Sequence, residues 1–119
     1  MEDLRKEQKE ALEVLVEFNG RVVKNLKILE KELSGQRLDD TDKFIKGIVD
    51  AINWEVQVMN GTMELLNENK ERIDKVKYNE KLTEFSSAIE AKDDSRMAEC
   101  VKALIPLFEN LEIAAKEVI

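Results

Sequence analysis

The side chains that could perform chemistry in this sequence are carboxylates and one thiol, because the chain contains no histidine. Without imidazole, the sequence lacks the commonest general base, the commonest transition-metal ligand and the phosphorelay acceptor. Di-iron carboxylate bundles use Glu-x-x-His pairs, and zinc sites use several Cys and His residues, so neither site is expected. We therefore predict no metal, no cofactor and no catalytic residues, and a protein that is not an enzyme.

Paired carboxylates are the remaining route to catalysis. Acidic residues recur at helical spacing at Glu10, Glu13 and Glu17, and again at Glu109 and Glu112. At about 100° per residue they fall mainly on outer helix faces, where solvated carboxylates are expected. A carboxylate-dependent enzyme stays open as an alternative, and it would require a concave pocket with two converging Asp or Glu side chains.

The sole cysteine, Cys100, lies within the apolar arc of the last predicted helix. A free buried cysteine usually packs as a small hydrophobic side chain, and no histidine is present to activate its thiol. One cysteine cannot form an internal disulfide, which favours a reducing compartment. Residues 1–10 are charged and do not resemble a secretory signal. These observations predict a cytoplasmic location.

Length and charge limit the possible partners. The 119 residues suit one domain, 1–119, and 43% of them are hydrophobic, which favours a folded core over disorder. The net charge of −7 would repel nucleic acid and anionic membrane surfaces, so neither is expected as a partner. The longest apolar stretch, residues 103–108, is too short to span a bilayer.

Apolar residues recur at steps of three and four in four stretches, which predicts four amphipathic helices. Helix one covers about residues 3 to 33, and helix two begins near Asp40 after cap residues. Helix three carries a stripe from Tyr78 to Ile89, and helix four a stripe from Met97 to Val118. Short connections place neighbours antiparallel, so we predict an all-α, up-down-up-down four-helix bundle.

The sequence is compatible with two positions for the end of helix two. Asn67 and Asn69 could close it, whereas Ile73 and Val76 continue its apolar side. The apolar stripe of helix three does not include Ile73 or Val76. We therefore expect a break or kink between residues 67 and 79.

Helix two carries more apolar surface than one bundle interior can bury, because its apolar arc covers about 220°. Tryptophan is enriched at binding hot spots, and an exposed apolar patch usually marks an interaction site. Glycines beside the indole would leave it prominent and let another backbone approach. Alternatively, helix two is central and the indole is covered. The predicted partner-binding residues are Gly47, Ala51, Trp54, Val58, Gly61 and Leu65.

Glu55 lies inside the same arc of helix two. An ionised carboxylate on a buried surface needs a cationic partner. We expect an internal ion pair with an Arg or Lys, and a basic group from a partner protein is the alternative.

Two stretches, from Asn79 to Asp93 and from Cys100 to Leu111 with its Leu104-Ile105-Pro106-Leu107 run, resemble the C-terminal hairpin of small uncharacterised bacterial bundle proteins. This resemblance implies a helical fold and no activity. In size, acidity and helix content the chain is also similar to flagellar and type III export chaperones, which implies that it holds a helical segment of a client.

We predict a protein-binding module that accepts an amphipathic helix from a client protein or from a second copy of itself. A structural, self-associating bundle is the alternative.

Overall fold

The computed structural model describes residues 2–119, and every regular element among them is a helix. The predicted all-α class is confirmed. The predicted number of helices is wrong by one, because a single helical turn follows the second long helix. Met1, the first residue of the predicted domain, lies outside the described residues. The helices are α1 (Glu2–Leu33), α2 (Thr41–Gly61), α3 (Met63–Leu66), α4 (Lys75–Glu90) and α5 (Asp94–Val118).

A tight polar turn connects α1 to α2. Gly35 takes a φ of 110°, a left-handed conformation that suits glycine just after a helix end. The hydroxyl of Thr41 accepts a hydrogen bond from the backbone N–H of Leu38 at 2.8 Å and donates one to Glu32 at 2.7 Å. These bonds hold the first turn of α2 against the last turn of α1.

Side chains hold residues 67–74, between α3 and α4, in a non-helical conformation. Asn67 Oδ1 accepts hydrogen bonds from the backbone N–H groups of Arg72 and Ile73, both at 2.9 Å. Arg72 Nη1 donates to the carbonyl oxygens of Leu66, the last residue of α3, at 3.0 Å and of Glu68 at 2.8 Å. Ile73 is buried although it belongs to no helix. The break expected in this region is confirmed.

α1 packs against both α2 and α5, and α4 packs against α5. Glu32 of α1 contacts Thr41 at the start of α2, and Phe18 contacts Trp54 further along, so these two helices run antiparallel. Within residues 2–119, no Cα atom of α2 lies within 8 Å of a Cα atom of α4. This side of the molecule is therefore open.

α4 and α5 form an antiparallel hairpin. Asp93 caps α5 by accepting a hydrogen bond from the backbone N–H of Arg96 at 3.1 Å. Tyr78, near the start of α4, donates its hydroxyl to the carbonyl of Leu107 in the middle of α5 at 2.5 Å. α5 continues through Pro106, which is exposed on its outer side. In the part of the chain that the structure describes, no helix is long and apolar enough to cross a membrane.

Candidate docking surface

Trp54 lies on the outer edge of α2, where this helix meets α1. Its side chain is 38% exposed, which is high for the largest apolar residue of the chain. The indole meets the ring of Phe18 edge to face, with the ring centroids 5.4 Å apart and the planes at 78°. Trp54 is therefore ordered against α1 on one side and open to solvent on the other.

Apolar neighbours extend this exposed area along both helices. Val14, one turn before Phe18 on α1, is 51% exposed. Ala51 and Val58, one turn to either side of Trp54, are half-buried and pack against the core. We call these five residues, Val14, Phe18, Ala51, Trp54 and Val58, the Trp54 surface.

The two predicted glycines lie exposed beside this surface. A Cβ atom added at Gly47 or at Gly61 would meet no atom within 4 Å. No other part of the described chain therefore occupies the space beside these glycines, and the backbone of another molecule could approach there.

Leu65 is not part of the surface, and its inclusion among the predicted partner-binding residues is wrong. Its side chain is 2% exposed. The prediction extended the helical phase of α2 through residue 65, but α2 ends at Gly61. There, the hydroxyl of Thr62 donates to the carbonyl of Val58 at 2.7 Å, and a new turn begins at Met63. The changed phase turns Leu65 into the core.

The contribution of α1 to this surface was not predicted from the sequence. Phe18, which is half-buried, and the exposed Val14 are absent from the predicted partner-binding residues. The available signal was the run Val14-Leu15-Val16, since three consecutive apolar residues on a helix cover more than one face.

The α1 side of the Trp54 surface is acidic. Four glutamates along the first half of α1 have exposed side chains, and none of them forms an ion pair with another residue in 2–119. Two of them, Glu10 and Glu17, share the α2-facing side of α1 with Val14 by helical spacing. Lys6 and Arg21, four residues from Glu10 and Glu17 respectively, lie on the same side, so the charge beside the exposed apolar residues is mixed, with an excess of negative charge. The four glutamates are Glu7, Glu10, Glu13 and Glu17.

Glu55, the residue after Trp54, points into the bundle and is 0% exposed. The expected internal ion pair is wrong: neither carboxylate oxygen has a hydrogen-bond partner or a cation within residues 2–119. Burial in apolar surroundings, together with the nearby carboxylate of Glu112, raises the pKa of Glu55 to about 8. The group is therefore mostly neutral at pH 7.

Asn19, the residue after Phe18, is also fully buried. Its Nδ2 donates to the carbonyl of Phe108 on α5 at 3.0 Å, whereas its Oδ1 has no donor among the described residues. Asn19 therefore links α1 to α5 through one atom and leaves the other unsatisfied.

The other reactive groups do not converge on a site. Cys100 is half-buried, and burial, with the negative charge of Glu84 nearby, raises the pKa of its thiol, so it is a weak nucleophile at neutral pH. No group of three or more Cys, Asp or Glu side chains in residues 2–119 is arranged to hold a metal ion.

A groove of about 1030 Å³ opens between α2 and the end of α4, over the apolar side chains of Ile45 and Val49. Most of its carboxylates are engaged in local structure. Asp42 and Asp94 both bind Arg37, at 2.9 and 2.8 Å, and Asp93 caps α5.

Comparison with known proteins gives a family for this fold. The family model described as a domain of unknown function, DUF8042, matches residues 10–114. The chain belongs to the DUF8042 family. No curated protein and no solved structure matches the chain. The DUF8042 match spans parts of all five helices, including both sides of the Trp54 surface.

Proposed function

We propose that this DUF8042 chain is a protein-binding module, and that its Trp54 surface takes a basic amphipathic helix from a client protein, as a chaperone or adaptor does. The observation that carries the proposal is the 38% exposed indole of Trp54, held by Phe18 at the junction of two helices. Tryptophan is enriched at the hot spots of protein interfaces, and exposed apolar patches mark interaction sites. The proposal involves no catalysis.

Charge sets the chemistry of the partner. The exposed apolar residues lie beside the unpaired glutamates of α1, and the whole chain carries −7. A helix with one apolar face and flanking Lys or Arg residues would bury its apolar face on the Trp54 surface and meet these carboxylates at the rim. Self-association through the same face would bring like charges together, so a second copy is the less favoured partner.

The architecture suits this role. α1 and α2 pack antiparallel, with Phe18 and Trp54 in contact along the line where they meet. A third helix laid along this line would contact residues of both helices, as in helix-to-helix packing within a bundle. We place the interaction in the cytoplasm, because the lone Cys100 suits a reducing compartment.

Isothermal titration calorimetry with a synthetic helical peptide tests the proposal. The probe is an 18-residue Leu/Lys peptide with one apolar face, and its matched control replaces every Lys with Glu. We expect saturable binding of the Leu/Lys peptide only, weakened by salt because screening reduces the charge attraction. Equal binding of both peptides, or no binding of either, would contradict the proposal.

Variants locate the binding site. Trp54→Ala is expected to weaken binding at least about thirtyfold, the effect of removing a hot-spot residue. Val76→Ala is the control, because Val76 is 66% exposed on α4 and lies outside the Trp54 surface. If both variants bind as the wild type does, the peptide uses another face. A stable dimer in sedimentation that Trp54→Ala dissociates would instead favour the self-associating bundle.

A further inference from the structure

Three polar oxygen atoms in the bundle interior have no hydrogen-bond donor within residues 2–119: Asn19 Oδ1 and both carboxylate oxygens of Glu55. If Glu55 is ionised, all three atoms are acceptors and cannot satisfy one another. A single proton on Glu55 turns one of its carboxyl oxygens into a hydrogen-bond donor. Among the buried side-chain atoms described, the acceptor on another residue that still lacks a donor is Asn19 Oδ1.

Helix register places the two side chains at the same level. The Phe18–Trp54 contact fixes the register of the antiparallel helices α1 and α2. In this register the buried stripe of α1, Leu15, Asn19 and Val22, runs opposite to that of α2, Met59, Glu55 and Ile52, so Asn19 and Glu55 belong to the same core layer. Both polar side chains are fully buried. The Nδ2 atom of Asn19 is committed to Phe108, so the amide cannot turn around without losing that hydrogen bond.

Charged groups on the neighbouring helices do not neutralise Glu55. At this level α1 carries Glu17 and Arg21, both with exposed side chains, whereas the exposed Glu64 of α3 lies further along, beside Gln8 of α1. α5 contributes the half-buried Glu112, whose negative charge opposes ionisation of Glu55. The surroundings therefore favour a proton on Glu55.

We infer that Glu55 is neutral in the closed bundle and donates its O–H to Asn19 Oδ1, forming a proton-dependent latch between α1 and α2 beneath the Phe18–Trp54 pair. When the proton leaves, two acceptors face each other and an unpaired charge remains in an apolar interior. Separation of α2 from α1 relieves this by exposing Glu55 to water. Closure of these two helices therefore depends on pH, whether or not a partner binds.

Amide hydrogen exchange of α2 in the full chain, from pH 5 to pH 9, measures this opening after correction for intrinsic exchange. In the wild type, the opening equilibrium is expected to rise up to about tenfold per pH unit until Glu55 ionises in the closed state near pH 8. Glu55→Gln offers Asn19 an N–H donor at every pH and should remove this rise. Asp50→Asn, which alters an exposed carboxylate of the same helix, should retain it. The same rise in Glu55→Gln as in the wild type would overturn the latch.

Carboxyl ¹³C NMR of the wild type tests the latch without a substitution at Glu55. The resonance of Glu55 is expected to titrate with a midpoint near pH 8, and a midpoint near 4.5, the ordinary value, would overturn the inference. Asn19→Leu removes the acceptor that stabilises the neutral carboxyl and should lower the midpoint by about 0.7 pH unit. An unchanged midpoint in that variant would show that Asn19 is not the partner.

Discussion

The indole of Trp54 and the ring of Phe18 meet edge to face, with centroids 5.4 Å apart, across the line where α1 and α2 pack. This contact joins the exposed surface of the protein to its interior, because the next residue on each helix, Asn19 and Glu55, is fully buried. The residue proposed to contact a partner is thus adjacent to the pair that we infer to be a latch.

Phe18→Leu is expected to loosen Trp54. Edge-to-face aromatic pairs contribute about 0.5–1.5 kcal/mol beyond the area that they bury, and leucine cannot replace that interaction. The variant should unfold at lower urea concentration than the wild type, and its tryptophan emission should shift to longer wavelength as the indole becomes more exposed. Unchanged emission would mean that Phe18 does not hold the indole.

Gly47→Ala separates stability from binding. A Cβ at position 47 meets no atom of the chain within 4 Å, and alanine favours a helix interior by about 1 kcal/mol, so the variant should be more stable. If a partner helix approaches Trp54 closely, the same methyl group should weaken peptide binding. Gly20→Ala, an equally open glycine on α1, is the matched control and should stabilise the fold without affecting affinity. Equal affinities for the two variants would place the partner elsewhere.

Tyr78→Phe tests how the α4–α5 hairpin is held. The substitution keeps the ring contact with Phe108, whose centroid lies 6.5 Å away, but removes two hydrogen bonds: the one that the hydroxyl donates to the carbonyl of Leu107 and the one that it accepts from Asn110 Nδ2. Their loss should lower the free energy of unfolding by about 1–2 kcal/mol in urea denaturation. A variant as stable as the wild type would show that ring packing alone holds the hairpin.

Asp94 gives the fold a sensitivity to acid. Its hydrogen bond to Arg37 holds the pKa of the carboxyl below its usual value of 3.8. Because the pKa is lower in the folded state, this stabilisation is present above pH 3.8 and is lost as the pH falls through the folded pKa. The pair is largely exposed, so Asp94→Asn should lower stability at pH 6 by less than about 1 kcal/mol and have a smaller effect at pH 2. Thermal unfolding at both pH values measures this; an equal loss at both would rule out the ion pair as its cause.

Helix periodicity predicted most of the fold, because long amphipathic stripes are determined by local sequence. The stripe ending at Leu33 and the stripe from Met97 to Val118 match α1 and α5 closely. The connection through residues 67–74 could be placed only roughly. Its conformation depends on hydrogen bonds from the side chains of Asn67 and Arg72 to the backbone, and a periodic pattern of apolar residues does not predict such bonds.

The candidate site was predicted in part, because residue type and helical position can be read from the sequence whereas contacts between helices cannot. Trp54 stands out by residue type and by its position on α2. The burial of Leu65 depends on the loss of helical phase at Thr62, and the role of Phe18 depends on the register between α1 and α2. The absence of a cationic partner at Glu55 depends on three-dimensional packing. Arg21 on α1 lies at the same level of the molecule, but its side chain is exposed and forms no ion pair with Glu55.

The indole N–H resonance of Trp54 provides the most direct test of the proposed function, because the chain contains one tryptophan and hence one such signal. The wild-type protein would be titrated with the basic Leu/Lys peptide and observed by ¹H–¹⁵N NMR. We expect a saturable shift of this signal, together with shifts at Val14 and Gly47, and little change at Val76. An indole signal that stays in place while the peptide binds would contradict the proposed function.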